Sequence, residues 1–174
     1  MKRICINAEL IVIIWIGFAA LNTSAQQWLS QTSGTNEHLW GIQFPVINIG
    51  YAVGNDGTFL KTTNGGENWV SLESGFGFRI NSVFFIDENT GYIAGELGMI
   101  MKTTDGGINL EVQPTGVVGL FKRICFPEDE STGYACGEYG KIVKTANGGT
   151  NWYSQTINTV ETLFDLHFLN NETG

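Results

Sequence analysis

Four acidic residues are the candidates for acid–base chemistry in this sequence. Hydrolysis of a glycoside needs two carboxyl groups that flank the scissile bond, and the candidates are Asp56, Glu96, Glu138 and Asp165. Three of them recur in the turn that follows a Gly-Tyr-x-x-Gly segment, so the turn itself explains their presence. Asp165 lies within a predicted strand that would line a central channel. We therefore predict no catalytic residue.

Metal ligation also has few candidates. His38 and His167 are the only histidines, and neither is accompanied by a second ligand at the spacing that a zinc site requires. The segment "GNDGT" at 54–58 offers two oxygens that suit calcium but lacks the glutamate that would complete the site. We predict no metal and no cofactor.

Two cysteines could carry thiol chemistry. Cys125 and Cys136 fall on the first and second strands of one predicted hairpin, roughly opposite each other across a turn near residues 130–131. They could form a disulfide in an oxidising compartment or remain two small buried side chains. The sequence leaves both alternatives open.

The amino-terminal residues 1–25 are typical of a secretory signal peptide. A basic start precedes the apolar run "LIVIIWIGFAAL", and cleavage is predicted after Ala25. The alternative is an uncleaved anchor, but the run is shorter than the roughly 20 residues that span a bilayer. Loss of Lys2, Arg3 and Glu9 leaves a strongly acidic chain. Acidity disfavours nucleic acid and anionic membranes as partners.

The elements that must position these residues follow from an internal repeat. Segments that begin Gly-Tyr start at Gly50, Gly91 and Gly133, and Gly174 stands at the next register position, so that the period is 41 or 42 residues. Apolar columns keep the same register: Trp28, Trp69, Leu110 and Trp152; Leu39, Ile80, Phe121 and Leu163; Ile42, Val83, Ile124 and Leu166; Phe44, Phe85, Phe126 and Phe168.

Each repeat predicts four short strands separated by turn residues. In the first repeat the strands are 39–45, 50–54, 58–62 and 69–72, with a polar turn at 46–49. Four strands in about 40 residues indicate one blade of a β-propeller. We therefore predict an all-β, antiparallel β-propeller.

The propeller predicted within residues 26–174 is an incomplete arc of about three and a half blades. Residues 28–31 would be an outer strand of a last blade, and residues 163–174 would begin the next blade. Both end surfaces would expose apolar side chains and strand edges. The three complete blades are predicted at 39–72, 80–113 and 121–155.

The turn between the third and fourth strands has the pattern Thr-x-Asn/Asp-x-Gly-x-Asn-Trp. Glycine can take positive φ there, the Asn or Asp side chain can accept backbone N–H bonds, and the tryptophan is a large apolar plug between blades. We predict a structural role for these residues. They are Thr62, Asn64, Gly66 and Trp69; Thr103, Asp105 and Gly107; Thr145, Asn147, Gly149 and Trp152.

This turn resembles the Asp-box, or BNR repeat. Together with the preceding "GYxxG" it is most similar to the repeats of the photosystem II assembly and stability factor family, which also occur in secreted bacterial proteins. The resemblance covers residues 28–174. It implies a propeller, typically of seven blades, that acts as a scaffold or binding surface without a cofactor.

A second resemblance concerns enzymes with Asp-boxes. The segment "FRIN" at 78–81 is similar to the "FRIP" motif of sialidases, in which the arginine helps to bind the substrate carboxylate. Here Asn81 replaces the proline, and Arg123 is the only other arginine after residue 25. The alternative interpretation of Arg79 is a solvated residue just before a strand.

Four aromatic residues outside the apolar columns are candidates for exposed contacts. Trp40, Tyr139, Phe76 and Phe78 could make contacts at a blade rim or pack between blades.

The sequence favours an exported, non-enzymatic binding or scaffold module, secreted, periplasmic or on the cell surface. We expect its partners to be protein or carbohydrate at the cell exterior, together with remaining blades of the same longer chain, and we expect no membrane span after signal cleavage. The alternatives are the propeller part of a secreted, sialidase-like glycoside hydrolase and a photosystem II assembly factor.

Overall fold

The computed structural model describes residues 30–174. The predicted signal peptide, residues 1–25, lies outside the described residues, as do residues 28 and 29 of the predicted outer strand 28–31. Ser30 and Gln31 are in irregular structure. Within residues 30–174, no helix is long and apolar enough to cross a membrane.

The described chain forms three four-stranded antiparallel sheets, each a meander of strands in sequence order. The predicted all-β architecture of four-stranded blades is confirmed. Sheet 1 contains β1 (Leu39–Val46), β2 (Ile49–Gly54), β3 (Phe59–Thr62) and β4 (Val70–Ser71). Sheet 2 contains β5 (Ile80–Phe85), β6 (Gly91–Gly95), β7 (Ile100–Thr103) and β8 (Glu111–Gln113). Sheet 3 contains β9 (Phe121–Cys125), β10 (Gly133–Gly137), β11 (Ile142–Thr145) and β12 (Tyr153–Ser154).

The first turn is tighter than predicted. Val46 pairs with Ile49, so the turn is residues 47–48 and not the polar segment 46–49. Val46 and Ile49 are apolar β-formers, and their pairing extends both strands to the shortest possible hairpin.

The first strand of every sheet carries a bulge at the same register position. In sheet 2 the pairing shifts between Ile80 and Ser82, which leaves one residue unpaired. A bulge brings residues three apart onto one face, which explains why the apolar columns are spaced by three residues and then by two. The bulged residues are Trp40, Asn81 and Lys122.

Two apolar cores lie between successive sheets. One contains Tyr51, Val53 and Phe59 of sheet 1 with Ile80 and Phe85 of sheet 2. The second repeats this arrangement between sheets 2 and 3. Because β1 contacts β5 and β5 contacts β9, the first strands form the inner edge of the arc.

Each core is centred on an aromatic stack that joins one blade to the next. Tyr51 of β2 lies parallel to Phe85 of the next blade, with ring centroids 3.5 Å apart and an interplanar angle of 3°. The opposite face of Phe85 rests on Gly91, where a Cβ would lie 2.5 Å from the ring. The same Tyr–Phe–Gly stack recurs as Tyr92, Phe126 and Gly133, and as Tyr134, Phe168 and Gly174.

The tyrosine hydroxyl also links neighbouring blades through hydrogen bonds. Tyr51 donates to the Glu88 carbonyl at 2.9 Å and lies 3.3 Å from the Gly106 carbonyl, to which Lys61 donates at 2.9 Å. Burial, followed by the charges of Glu88 and Asp87, raises the pKa of Tyr51 to about 12. The hydroxyl therefore remains a neutral donor at physiological pH.

Residues 163–174 do not form the strand that the repeat predicts, and the segment is irregular throughout. The segment nevertheless packs on sheet 3. Leu163 donates to the Gly137 carbonyl at 3.0 Å, Phe168 stacks on Tyr134, and Tyr134 donates to the Asn171 carbonyl at 2.7 Å.

Phe126→Ala should lower the free energy of unfolding by about 3–5 kcal/mol, because it removes the central ring of a buried stack and leaves a cavity. Urea unfolding followed by far-UV circular dichroism measures the loss. Phe164→Ala is the control, since that ring is 74 % exposed, and a change above about 0.5 kcal/mol there is not expected. Equal losses in the two variants would contradict the role of the stack.

Candidate functional site

The strand order gives each sheet two ends with different composition. One end carries the β1–β2 and β3–β4 type turns, and we call it the motif face. The other carries the β2–β3 type turns and the links between blades, and we call it the link face. The Asp-box turns all lie on the motif face.

In the first Asp-box, side chains bond to the local backbone. The Thr62 hydroxyl accepts from the Gly66 amide at 2.9 Å and donates to Asn64 Oδ1 at 2.9 Å. Asn64 Oδ1 in turn accepts from the Asn68 amide at 3.0 Å. Gly65 and Gly66 have φ of +70° and +94°, in the region where glycine alone is unstrained. The polar atoms of the turn are thus engaged within it.

The second and third Asp-boxes repeat this arrangement. The Thr103 hydroxyl accepts from the Gly107 amide at 2.9 Å, and the Thr145 hydroxyl accepts from the Gly149 amide at 3.0 Å. In the third turn Asn147 Oδ1 accepts from the Asn151 amide at 2.9 Å.

The residue that closes each turn packs on the apolar core to a different depth. Trp152 is 6 % exposed and meets Phe126 edge-on at 6.2 Å, within the core shared by sheets 2 and 3. Leu110 is partly buried against the preceding core. Trp69 is half-buried and meets Phe44 edge-on at 5.9 Å.

Asp105 differs from its counterparts Asn64 and Asn147 by carrying a charge. Its carboxylate accepts from the Asn109 amide at 2.9 Å, from Asn109 Nδ2 at 2.7 Å and from the Thr103 hydroxyl at 2.9 Å. These bonds, the Asn109 amide first, hold the pKa of Asp105 below its ordinary value.

The candidate carboxylates are placed apart, and three of the four have structural partners. Glu96 accepts from the Arg79 amide at 3.3 Å, and Glu138 accepts from the equivalent Leu120 amide at 3.1 Å. Asp165 pairs with Arg123 at 3.3 Å. Glu96 and Glu138 therefore tie each link to the turn beside it.

Asp56 lies at the link face, in the wall of a cavity of about 430 Å³ beside β4. The same wall includes Glu73 and Phe76. Asp56 takes φ of +48° in its turn, as Leu97 and Tyr139 do at φ of +61° and +59° in theirs. Sequence reasoning did not single out Glu73, because it falls in a link without a repeat column.

Histidines and cysteines do not assemble a reactive centre. Within residues 30–174, no group of three or more His, Cys, Asp or Glu could hold a metal ion. The prediction that Cys125 and Cys136 lie opposite each other is wrong, because Cys125 pairs with Tyr134 and Cys136 with Arg123. A two-residue offset makes them diagonal neighbours, and both are free thiols. Burial raises the pKa of Cys125 to about 11 and that of Cys136 to about 12.

The link face presents an aromatic–cationic pair at the inner edge of the arc. Trp40, the bulged residue of β1, is 52 % exposed, and its indole N–H donates to Asn55 Oδ1 at 2.8 Å. The Arg79 guanidinium lies 5.6 Å from the centre of the Trp40 ring, within the range of a cation–π interaction. His38 lies beside the same ring at 6.2 Å. The bond to Asn55 holds an exposed aromatic surface in one orientation.

Arg79 is therefore not the freely solvated residue that its position before a strand predicted. Besides contacting Trp40, its Nε lies 3.6 Å from Glu96 Oε1. The side chain is about one third exposed, so part of it remains accessible to a ligand.

A second such pair follows two blades along the inner edge. Lys122, the bulged residue of β9, lies over the ring of Phe164 at 5.7 Å. Arg123, next to it, is half exposed. We call Trp40, Arg79, Lys122 and Phe164 the rim residues.

The rim residues concentrate positive charge and exposed aromatic surface in an otherwise acidic chain. Lys61 and Lys102, by contrast, donate to carbonyls between blades. The sequence singled out Trp40 and Arg79 separately. Their contact joins residues of neighbouring blades that lie 39 positions apart and at different register positions, so the repeat did not predict it.

The remaining aromatic candidates, Phe76, Phe78 and Tyr139, differ in how deeply they are buried. Phe76 is partly buried against the core between sheets 1 and 2. Phe78 is 44 % exposed and Tyr139 is 63 % exposed, both on the link face.

Comparison with known proteins places this architecture among β-propellers. A family model described as photosynthesis system II assembly factor YCF48 matches residues 20–116. No curated protein sequence matches the chain.

Solved structures with the same fold include YCF48 bound to D1 peptide, with a TM-score of 0.65 and 24 % identity over 77 % of this chain and 47 % of that one. YCF48 from Cyanidioschyzon merolae has a TM-score of 0.57 and 26 % identity over 72 % of this chain and 42 % of that one. The GH74 enzyme of Niastella koreensis has a TM-score of 0.54 and 22 % identity over 63 % of this chain and 20 % of that one. The chain thus spans less than half the length of each of these proteins.

Thr103→Val should lower the free energy of unfolding by about 1–3 kcal/mol, because it leaves the buried amide of Gly107 without an acceptor. Chemical unfolding measures the loss. Thr104→Val is the matched control, since Thr104 is exposed in the same turn. A loss of equal size at Thr104 would show that the hydroxyl bond is unimportant.

Asp105→Asn should remove a pH dependence of stability. A lowered carboxyl pKa stabilises the folded state above the ordinary value of 3.8, and that stabilisation is lost as the pH falls through the folded-state pKa. The advantage of the unmodified chain over the Asn variant should therefore shrink below about pH 4 in urea unfolding. Asn147→Asp should introduce the same dependence into the third turn. A constant difference across pH would contradict this account.

Proposed function

Since the chain belongs to the family of the photosynthesis system II assembly factor YCF48, we propose that it is a protein-binding scaffold without enzymatic activity. We further propose that it acts outside the cytoplasm, for which the predicted signal peptide at residues 1–25 is the support. YCF48 has been solved with a bound D1 peptide, and that complex supports a protein ligand here.

The observation that carries the proposal is the fixed, exposed ring of Trp40 with Arg79 against it. A large aromatic surface that a hydrogen bond already orients loses little entropy when a ligand packs on it. Tryptophan and arginine are also the residues that most often dominate binding energy at protein interfaces.

The charge of the rim residues indicates which peptides would bind. Arg79, Lys122 and Arg123 place three cations on the inner edge, of which Arg79 is partly balanced by Glu96 and Arg123 by Asp165. We propose that the ligand is an extended segment with acidic side chains or a free carboxylate and at least one apolar side chain to cover Trp40.

Selection from a random dodecapeptide phage library tests this function. Peptides selected on the unmodified chain should be rich in Asp or Glu, and synthetic copies should bind more weakly as salt increases. Trp40→Ala and Arg79→Gln should each weaken binding by about tenfold or more, measured by titration calorimetry. Tyr139→Ala is the control, since that ring is also exposed on the link face. Unchanged binding in the Trp40 and Arg79 variants would exclude the rim.

Glycoside hydrolysis, as in a sialidase-like enzyme, is a second candidate, and the observation that favours it is the presence of Asp56 and Glu73 in one cavity wall. The two carboxylates resemble a catalytic pair only in lining the same cavity. A panel of fluorogenic glycosides, sialosides included, should give no turnover above a blank. Turnover that disappears in Asp56→Asn, Glu73→Gln or Arg79→Gln would overturn the non-enzymatic proposal.

A role in photosystem II assembly is a third candidate, which family membership supports. The D1 peptide is its probe. Binding that is lost in Trp40→Ala would favour this role, whereas binding of selected peptides without binding of the D1 peptide would favour a more general scaffold.

A further inference from the structure

An apolar strip crosses the link face on sheets 2 and 3. It consists of two pairs of exposed side chains, each with one residue from a β2–β3 type turn and one from the link that follows the sheet. We call these four residues the link strip: Leu97 and Val118 on sheet 2, and Tyr139 and Val160 on sheet 3. Their exposures are 65 %, 75 %, 63 % and 80 %.

Backbone hydrogen bonds hold each turn of the strip against its link. The Gly98 amide donates to the Gly119 carbonyl at 2.6 Å, and the Gly140 amide donates to the Glu161 carbonyl at 2.8 Å. The residue before each of these four positions belongs to the strip. The Tyr139 ring also lies beside Gly119, where a Cβ would be 3.3 Å from it. The strip is therefore continuous from sheet 2 to sheet 3.

Sheet 1 has the same backbone arrangement without the apolar side chains. The Gly57 amide donates to the Phe78 carbonyl at 2.8 Å, as in the other two sheets. The residues before these two are Asp56 and Gly77. The fold therefore does not require apolar side chains at the strip positions.

Two members of the strip are held in a backbone conformation that does not suit them. Leu97 and Tyr139 have φ of +61° and +59°, in the left-handed region that favours glycine, asparagine and aspartate and that bulky residues rarely adopt. Stability alone would favour a small or polar residue there, as Asp56 is in sheet 1. Strained positions of this kind are concentrated at functional sites.

The exposure of the strip does not arise from the ends of the arc. Sheet 2 lies between sheets 1 and 3, and Leu97 and Val118 are nevertheless well exposed. Tyr139 and Val160 occupy the same register positions one repeat later and have similar exposures. Contiguous exposed apolar surface is typical of an interaction site.

The charges beside the strip indicate what it would bind. Glu138 directly precedes Tyr139, and Glu161 directly follows Val160. Among residues 30–174, neither carboxylate forms an ion pair, and the one cation in the same turn is Lys141. An apolar surface with excess negative charge is complementary to apolar side chains accompanied by basic residues, and it repels acidic ligands.

We propose that the link strip is a second docking surface, for a partner protein segment that carries two apolar side chains flanked by Lys or Arg. Each pair of the strip would contact one apolar side chain, and Glu138 and Glu161 would attract the basic residues. The strip lies on turns and links, whereas the rim residues lie along the inner edge and favour acidic segments. One chain would thus hold two segments of opposite charge.

Selection from a random dodecapeptide phage library on the double variant Trp40→Ala, Arg79→Gln tests the proposal, because this variant lacks the main rim contacts. Selected peptides should be rich in Lys or Arg together with Leu, Phe or Trp. Synthetic copies should bind the unmodified chain in titration calorimetry, and more weakly as salt increases. Leu97→Asn and Tyr139→Asn should each weaken that binding about tenfold or more.

Ile108→Asn is the matched control, since Ile108 is an apolar side chain 72 % exposed on the motif face, and its effect on binding should be below about threefold. The two strip variants should also keep or raise the midpoint of urea unfolding, because asparagine tolerates positive φ better than leucine or tyrosine. Unchanged binding therefore could not be ascribed to a damaged fold.

Three results would overturn the proposal. The first is selection of peptides without basic and apolar enrichment, and the second is equal binding by Leu97→Asn, Tyr139→Asn and the unmodified chain. The third is binding to phosphatidylcholine vesicles that Leu97→Asn abolishes, which would make the ligand a lipid surface. The test of the rim uses different variants and peptides of opposite charge, so each surface can fail without the other.

Discussion

The stack of a tyrosine, a phenylalanine and a glycine across each blade junction is the contact on which the rest of the structure depends. The phenylalanine belongs to an inner strand, the glycine to the next strand of the same blade, and the tyrosine to the blade before. A Cβ on Gly91 or Gly133 would lie about 2.5 Å from the ring, so glycine is the residue that permits the contact. Because one ring touches two blades, a blade cannot pack correctly by itself.

The Asp-box turn and the aromatic stack act together at each junction between blades. The turn is held by its threonine and its Asn or Asp side chain, which leaves the carbonyl of its first glycine facing the preceding blade. Tyr92 and Lys102 both donate to that carbonyl at Gly148, at 2.8 and 3.0 Å. A buried carbonyl with two donors is well satisfied. The motif therefore closes a hairpin and fixes the angle between blades with the same atoms.

The bulge on each inner strand provides the variable part of this regular scaffold. Trp40, Asn81 and Lys122 occupy one register position with three different chemistries. Asn81 is 8 % exposed and bonds to the Phe121 carbonyl at 3.0 Å, so it serves the junction between sheets 2 and 3. Trp40 and Lys122 contact Arg79 and Phe164 and remain accessible. A bulge re-aims its side chain away from the ladder, which allows each blade to differ there without disturbing the core.

The sequence by itself determined the blades. Glycine-containing turns and apolar strand positions recur every 41 or 42 residues, and both reflect local preferences of the backbone and side chains. The Asp-box hydrogen bonds join residues two to four apart, and such local geometry can be inferred from residue types. Only the tertiary structure decided which residues from different blades meet. Trp40 and Arg79 lie 39 positions apart in the chain, and their contact depends on the bulge and on the angle between blades. The offset of Cys125 from Cys136 depends on a hairpin register that the turn sequence did not specify. The irregular conformation of residues 163–174 was not predicted either, because strand formation depends on non-local pairing as well as on local propensity.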